Sequence, residues 1–167
     1  SFDTVHTQHP GHGETLARQA LSDGRRHIVA VGGDGSVNEI VQGILTAGLP
    51  DTREVTLAVA PQGTGNDWAR SLGITRGPSH IAEVLAAGRT MLHDVGFIDF
   101  PEAGGTRRWF INVAGAGYDA YVSERVPRPV PSAFTYLRVA LNGLATYRSP
   151  EFRVTAGNET IAGRLLL

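Results

Sequence analysis

Three glycines around a single carboxylate, Gly32-Gly33-Asp34-Gly35-Ser36, carry the clearest chemical implication in this chain. The segment follows a short apolar run, His27 to Val31, and leads into Val37, Ile40, Val41, Ile44 and Leu45, which recur at helical spacing. Glycines at such a corner can take positive φ and let the backbone approach a ligand closely. The free amides and dipole of the helix start favour anionic oxygens, phosphate above all. A carboxylate beside phosphate is repulsive unless a divalent cation lies between them, so Asp34 implies Mg²⁺ bridging it to a polyphosphate, directly or through water. A tight strand-to-helix turn with Asp34 as a helix cap is the competing account. The spacing lacks both the Lys-Ser/Thr of a Walker loop and the Gly-x-Gly-x-x-Gly of a dinucleotide binder.

A second segment repeats the design. Ala60-Pro61-Gln62-Gly63-Thr64-Gly65-Asn66-Asp67-Trp68-Ala69-Arg70 follows another apolar run, Val55 to Ala60, and offers polar groups at Thr64, Asn66 and Asp67. In a parallel sheet, neighbouring strands place such loops side by side at the carboxyl edge, where ligands bind. Taken alone, Asp67 reads equally well as a helix cap. Asn112 and the Gly115-Ala116-Gly117 turn are explained as well by a close-packed corner as by a cleft. His6, His9 and His12 are three apart, but Pro10 and Gly11 break any helix that would gather them around a metal.

Residues 2–7 alternate apolar and polar and predict a strand. Residues 14–22 predict a helix that ends before Gly24. The runs at 27–31 and 55–60 predict buried parallel strands, with helices over 37–47, from Asn66 or Asp67, and over 79–87. This alternation marks a doubly wound α/β unit with a parallel sheet. Beyond it, residues 91–100 and 107–114 predict a hairpin, 132–147 a helix, and 151–167 a second hairpin turning at Gly157-Asn158. Val126 to Pro131 is a Pro-rich loop. Phe134, Leu137, Leu141 and Leu144 form an apolar stripe that suits a core or a lipid-facing wall. The domain expectation is therefore an α/β domain over 1–92 and the start of a β-rich domain over 93–167. The chain opens at Ser1 within an expected strand and closes on Leu165-Leu166-Leu167, so further chain is expected on both sides.

Fifteen basic residues against sixteen acidic ones leave a net charge of −1, which lacks the cationic excess that nucleic-acid binding needs. Zero cysteines remove thiolate metal sites and cysteine nucleophiles. No signal or transmembrane pattern is visible, so a cytoplasmic location is expected.

Together the two loops, with His93-Asp94-Val95-Gly96 and Phe110-Ile111-Asn112-Val113-Ala114-Gly115-Ala116-Gly117-Tyr118-Asp119-Ala120, resemble the diacylglycerol kinase catalytic domain family. That family includes bacterial diacylglycerol and other lipid kinases, sphingosine kinases and ceramide kinases. Ser36 stands where Thr is usual, and the family's first strand and late acidic motif are not matched. The resemblance implies an NAD kinase/diacylglycerol kinase-like nucleotide-binding domain followed by a β-rich lipid-binding domain, with ATP and Mg²⁺ as cofactors. It implies transfer of the ATP γ-phosphoryl group to a lipid hydroxyl, most readily diacylglycerol or a related glycerolipid, at the inner membrane face. Nucleotide contacts are implied at Thr7, Gly32, Gly33, Asp34, Gly35, Ser36, Val37, Asn38, Glu39, Gly63, Thr64 and Asn66. Metal contacts are implied at Asp34, Asp67 and Asp94, with Asp34 and Asp67 as the catalytic pair and the general base beyond Leu167. The fragment 1–167 is accordingly expected to be inactive alone, and an exposed sheet edge would invite association, a homodimer included. An NAD kinase-like small-molecule kinase and a non-catalytic nucleotide or lipid sensor are the rival readings. The Pro61-Gln62-Gly63-Thr64-Gly65-Asn66-Asp67 segment speaks against the first.

Overall fold

The computed structural model describes residues 2–127 and 132–164, and forms two compact units, Ser1–Val113 and Ala114–Leu167. In the first unit, helix α1 (His12–Ser22) precedes strand β1 (His27–Gly32), helix α2 (Asp34–Thr46) and strand β2 (Thr56–Pro61). Helices α3 (Asp67–Ser71) and α4 (Pro78–Ala87) and the strands β3 (Gly96–Phe100) and β4 (Thr106–Phe110) complete it. β1 and β2 pair in parallel from His27↔Thr56 to Gly32↔Pro61, so both strands end level and their loops leave the sheet together.

The core follows from the helical and strand periodicities. Val37 and Val41 on α2 meet Ala30 of β1, Val59 of β2, and Trp68 and Ala69 of α3. α1 packs on α2 where Gly43 has no side chain; a Cβ there would stand 2.5 Å from the Glu14 carbonyl and 2.6 Å from the Ala17 Cβ. Glu39 of α2 reaches back to the same helix, its Oε1 accepting from the Gly11 amide at 2.8 Å and its Oε2 from the Gly13 amide at 2.9 Å. One carboxylate thus satisfies two orphan donors of α1 and places charge at the positive end of its dipole.

Two expectations fail here. Residues 2–8 form no regular structure; among the described residues no strand pairs with them, and alternation without a ladder does not hold a strand. β1 is not buried on both faces either. Val29 is 44% and Val31 69% exposed, because the described elements cover only the face that carries Ala30.

The β3–β4 hairpin and its flanks pack on the core of the first unit through Val95, Trp109 and Ile111. Its attachment is polar as well as apolar. Gln42, only 4% exposed, donates from Nε2 to the Trp109 carbonyl at 2.7 Å and accepts at Oε1 from the Trp109 amide at 3.1 Å. Asn38 adds a bond from Nδ2 to the same carbonyl at 3.2 Å. Across the hairpin, Arg107 grips the Asp99 carboxylate at 2.6 and 2.8 Å and lies over the Phe97 ring. That bidentate bond holds the Asp99 carboxyl below its ordinary range and raises the Arg107 guanidinium.

In the second unit, α5 (Tyr118–Arg125) and α6 (Ala133–Thr146) pack together, and β5 (Glu151–Ala156) pairs with β6 (Glu159–Arg164). The Tyr118 hydroxyl donates to the Ala140 carbonyl over Gly143, and the Tyr121 hydroxyl meets Thr146 Oγ1 at 2.9 Å. Gly157, at φ 59°, turns the second hairpin where the sequence placed it. The stripe on α6 is not core: Phe134, Leu137, Leu141 and Leu144 are 52–73% exposed. Of the Pro-rich loop, residues 128–131 lie outside the described residues, as do 165–167 at the end of the second hairpin segment.

Replacing Gln42 with Leu keeps the volume and strands the Trp109 amide, while Asn38 still serves the carbonyl, which should cost about 1–3 kcal/mol. Thermal denaturation reads this as a midpoint several degrees lower; an unchanged midpoint would show that the pairing contributes nothing.

Candidate functional site

At the carboxyl edge of the parallel pair, the two glycine loops touch backbone to backbone. A Cβ on Gly33 would lie 2.9 Å from the Gly63 Cα, and one on Gly63 would lie 2.5 Å from the Gly33 Cα. The Gln62 amide donates to the Gly32 carbonyl at 2.8 Å and closes the seam. Neither Gly33 nor Gly63 has positive φ, so these glycines serve close approach rather than a left-handed turn. Gly33 is extended at φ −103° and opens α2, leaving the first-turn amides of that helix without intrahelical acceptors.

The left-handed residue is Asn66 instead, at φ 55°, where a short amide side chain is tolerated. It is 6% exposed, and its amide closes the second loop on both sides. Oδ1 accepts from the Gly63 amide at 2.8 Å, and Nδ2 donates to the Gly63 carbonyl at 2.7 Å. Arg76 donates to the same carbonyl from outside the loop.

Asp34 opens α2 but does not cap it. Its Oδ1 accepts from the Trp68 amide at 3.1 Å, in the first turn of α3, while its Oδ2 lies 3.0 Å from where a Gly65 Cβ would stand. The Asp67 Oδ2 is 3.6 Å from that same point, so both carboxylates border Gly65. Asp67 is the first residue of α3 and is paired with Arg70. Both capping accounts therefore fail in their simple form: neither carboxylate caps the helix it begins.

The structure thus gathers Gly32, Gly33, Asp34, Gly35, Gly63, Thr64, Asn66 and Asp67 at one sheet edge. Ser36 lies over Gly32, where any Cβ would collide with its hydroxyl. Val37 is in the core, Asn38 is turned to Trp109, Glu39 to the start of α1, and Thr7 is exposed ahead of that helix. Asp94 is exposed in the segment before β3, and its carbonyl lies 2.8 Å from the Nδ1 of His93. Among the described residues no group of three or more His, Asp or Glu side chains could hold a metal unaided. Two carboxylates beside a row of backbone amides do match the needs of a phosphate-bound Mg²⁺, which takes one or two carboxylates and completes its shell with phosphate oxygens and water.

The residues missed by sequence reasoning are Gln42, His93 and the two arginines Arg70 and Arg76. Gln42 left a signal as a polar residue between Val41 and Gly43 on the apolar face of α2, and Arg70 and His93 stand within the motifs that carry the resemblance.

A parallel pair carrying glycine loops and flanked by helices, followed by antiparallel hairpins, defines an α/β protein of the NAD kinase/diacylglycerol kinase-like fold. A crystal structure from Bacillus anthracis str. Sterne, provisionally named a diacylglycerol kinase, superposes with a TM-score of 0.61 at 20% identity, covering 97% of this chain and 52% of that one. The family model for the diacylglycerol kinase catalytic domain matches residues 1–98, and the chain belongs to that family. A diacylglycerol kinase of Bacillus subtilis (strain 168) is 33% identical over 144 residues, spanning 84% of this chain and 44% of the relative. One from Mycobacterium tuberculosis (strain CDC 1551 / Oshkosh) is 32% identical over 156 residues, spanning 91% of this chain and 48% of the relative. The chain thus spans about half the length of the curated relatives it matches.

Two substitutions test the loop geometry. Gly63→Ala should cost about 1–3 kcal/mol, since its Cβ meets backbone that cannot rotate away; a melting midpoint equal to that of the parent would contradict the contact. At Asn66 the melting order should be parent, then Asn66→Gly, then Asn66→Ala. Glycine relieves the left-handed backbone and loses the clamp, whereas alanine keeps the strain and loses the clamp as well. If Asn66→Gly melts above the parent, the side-chain clamp contributes nothing.

Proposed function

We propose that this chain forms the nucleotide-binding part of an ATP-dependent lipid kinase that phosphorylates a hydroxyl of diacylglycerol or a related glycerolipid at a membrane surface. The observation that supports it most directly is the Gly33–Gly63 contact with Asp34 and Asp67 at its rim. Phosphoryl transfer asks a protein mainly for positioning and for neutralisation of phosphate charge. The amides of Gly33 to Ser36 and the Gly63–Thr64 loop are the groups that would receive phosphate oxygens. Asp34 and Asp67, with Asp94 as a third contributor, are the residues that would hold Mg²⁺, which when bound neutralises charge on the transferring phosphoryl group. The lipid acceptor comes from the family and from the names of its relatives, and no general base is assigned among the described residues. No described helix is long and apolar enough to cross a membrane, so the acceptor is taken to be met from the surface.

The test is phosphorylation of a lipid panel by the full-length protein with γ-³²P-labelled ATP and Mg²⁺. Asp34→Asn separates chemistry from structure, because the amide oxygen can still accept from the Trp68 amide while the negative charge is gone. Turnover should fall by on the order of 10²-fold or more, since a cation contributes several kcal/mol, with little change in melting temperature. Near-parental turnover at saturating Mg²⁺ would refute the assignment. Calorimetric ATP binding without phosphorylation of any lipid would identify a sensor instead.

A further inference from the structure

Trp68 joins the apolar core to the candidate site through its backbone and to the segment before β3 through its ring. Its amide donates to Asp34, it follows Asp67 directly, and its indole is 4% exposed among Ala30, Val37, Val41 and Val59. The indole Nε1–H has one partner, His93 Nε2, at 3.2 Å, with the rings in an edge arrangement at 5.9 Å. An acceptor at Nε2 puts the imidazole proton on Nδ1, and that nitrogen faces the Asp94 carbonyl at 2.8 Å. The polar chain therefore runs from the Asp34 carboxylate through Trp68 and His93 to the backbone of Asp94. On the other side of Asp94, Val95 is packed against the same core.

From this geometry we infer that Trp68 and His93 are positioning residues, which fix Asp94 relative to Asp34 and Asp67. The inference rests on the reading of those aspartates as cation-facing groups. Asp94 lies in a segment without regular structure, between α4 and β3, where no ladder sets the course of the backbone. A hydrogen bond from a buried indole substitutes for the ladder. The indole is held by close packing and cannot follow a displaced partner, so it transmits the position of α3 to the segment carrying Asp94. The Nδ1 bond then couples ring orientation to the carbonyl of the aspartate itself. Outer residues that orient ligands in this way typically change metal affinity or activity by about 10–100-fold when removed.

The test uses the full-length protein and the variants Trp68→Phe, His93→Leu, His93→Gln and Asp94→Asn. The indole Nε1–H resonance of Trp68 is assigned in the amide-type NMR spectrum by its absence from Trp68→Phe. In His93→Leu that resonance should move upfield and exchange faster with solvent, and in His93→Gln, which keeps an acceptor, it should return towards the parent position. In the same variants the apparent Mg²⁺ affinity in the presence of ATP, read by titration calorimetry, should fall about tenfold in His93→Leu and Trp68→Phe and be largely restored in His93→Gln. A purely structural histidine would lower the melting temperature without that pattern of loss and rescue. An indole resonance unmoved by His93→Leu overturns the inference. So does parental Mg²⁺ affinity in His93→Leu when Asp94→Asn has lost it. If Asp94→Asn itself keeps parental affinity, the failure is that of the aspartate reading, and the positioning role falls with it.

Discussion

Two α-carbons meet where strands of a parallel sheet end level, and most of the site follows from that contact. Parallel pairing from His27↔Thr56 to Gly32↔Pro61 brings both chains out at the same height, and strands in such a pair lie about 4.8 Å apart. Past the ladder the two loops converge further, and a side chain on either at the point of approach would run into the other's backbone. Gly33 and Gly63 carry none, and the space a pair of methyl groups would fill becomes instead an edge lined with peptide groups. The helix starts that follow, α2 and α3, are then close enough for Asp34 of one to bond the first turn of the other.

The rest of the first unit reads as support for that edge. Asn66 holds the second loop shut by grasping Gly63 at both its amide and its carbonyl, and only a residue with a short polar side chain can do so from a left-handed backbone. Trp68 ties the loop to the apolar core. Glu39 and Asn38, both just over one turn along α2, are occupied in fastening α1 and the β3–β4 hairpin to the same helix. α2 is thus both the phosphate-facing element and the element onto which its neighbours are hung, so its first turn is held against displacement from three directions.

Much of this was legible beforehand, for identifiable reasons. Glycine loops directly after apolar runs and directly before amphipathic runs leave few alternatives, and the parallel pair, the main helices and both hairpin turns fall close to where the pattern puts them. What the pattern could not show was which residue takes the unusual backbone angle: glycines advertise positive φ, yet Asn66 adopts it while Gly33 and Gly63 do not. Nor could it show that no strand among the described residues pairs with Phe2 to Thr7, since alternation reports which residues suit a strand and says nothing of what pairs with it. The Trp68–His93 bond spans 25 residues without periodicity, and long-range bonds between single side chains leave no trace in spacing.

The Gln42 amide has one more consequence. Pairing with both the amide and the carbonyl of Trp109, it occupies the outward edge of β4 as a neighbouring strand would, though only one residue deep. Open strand edges are where foreign chains add themselves and where aggregation begins. A chain arriving along this edge would find the Trp109 groups already taken and could not build a continuous ladder past them. A side chain on a helix thereby guards the hairpin against unwanted extension, a protection invisible in any count of buried apolar surface.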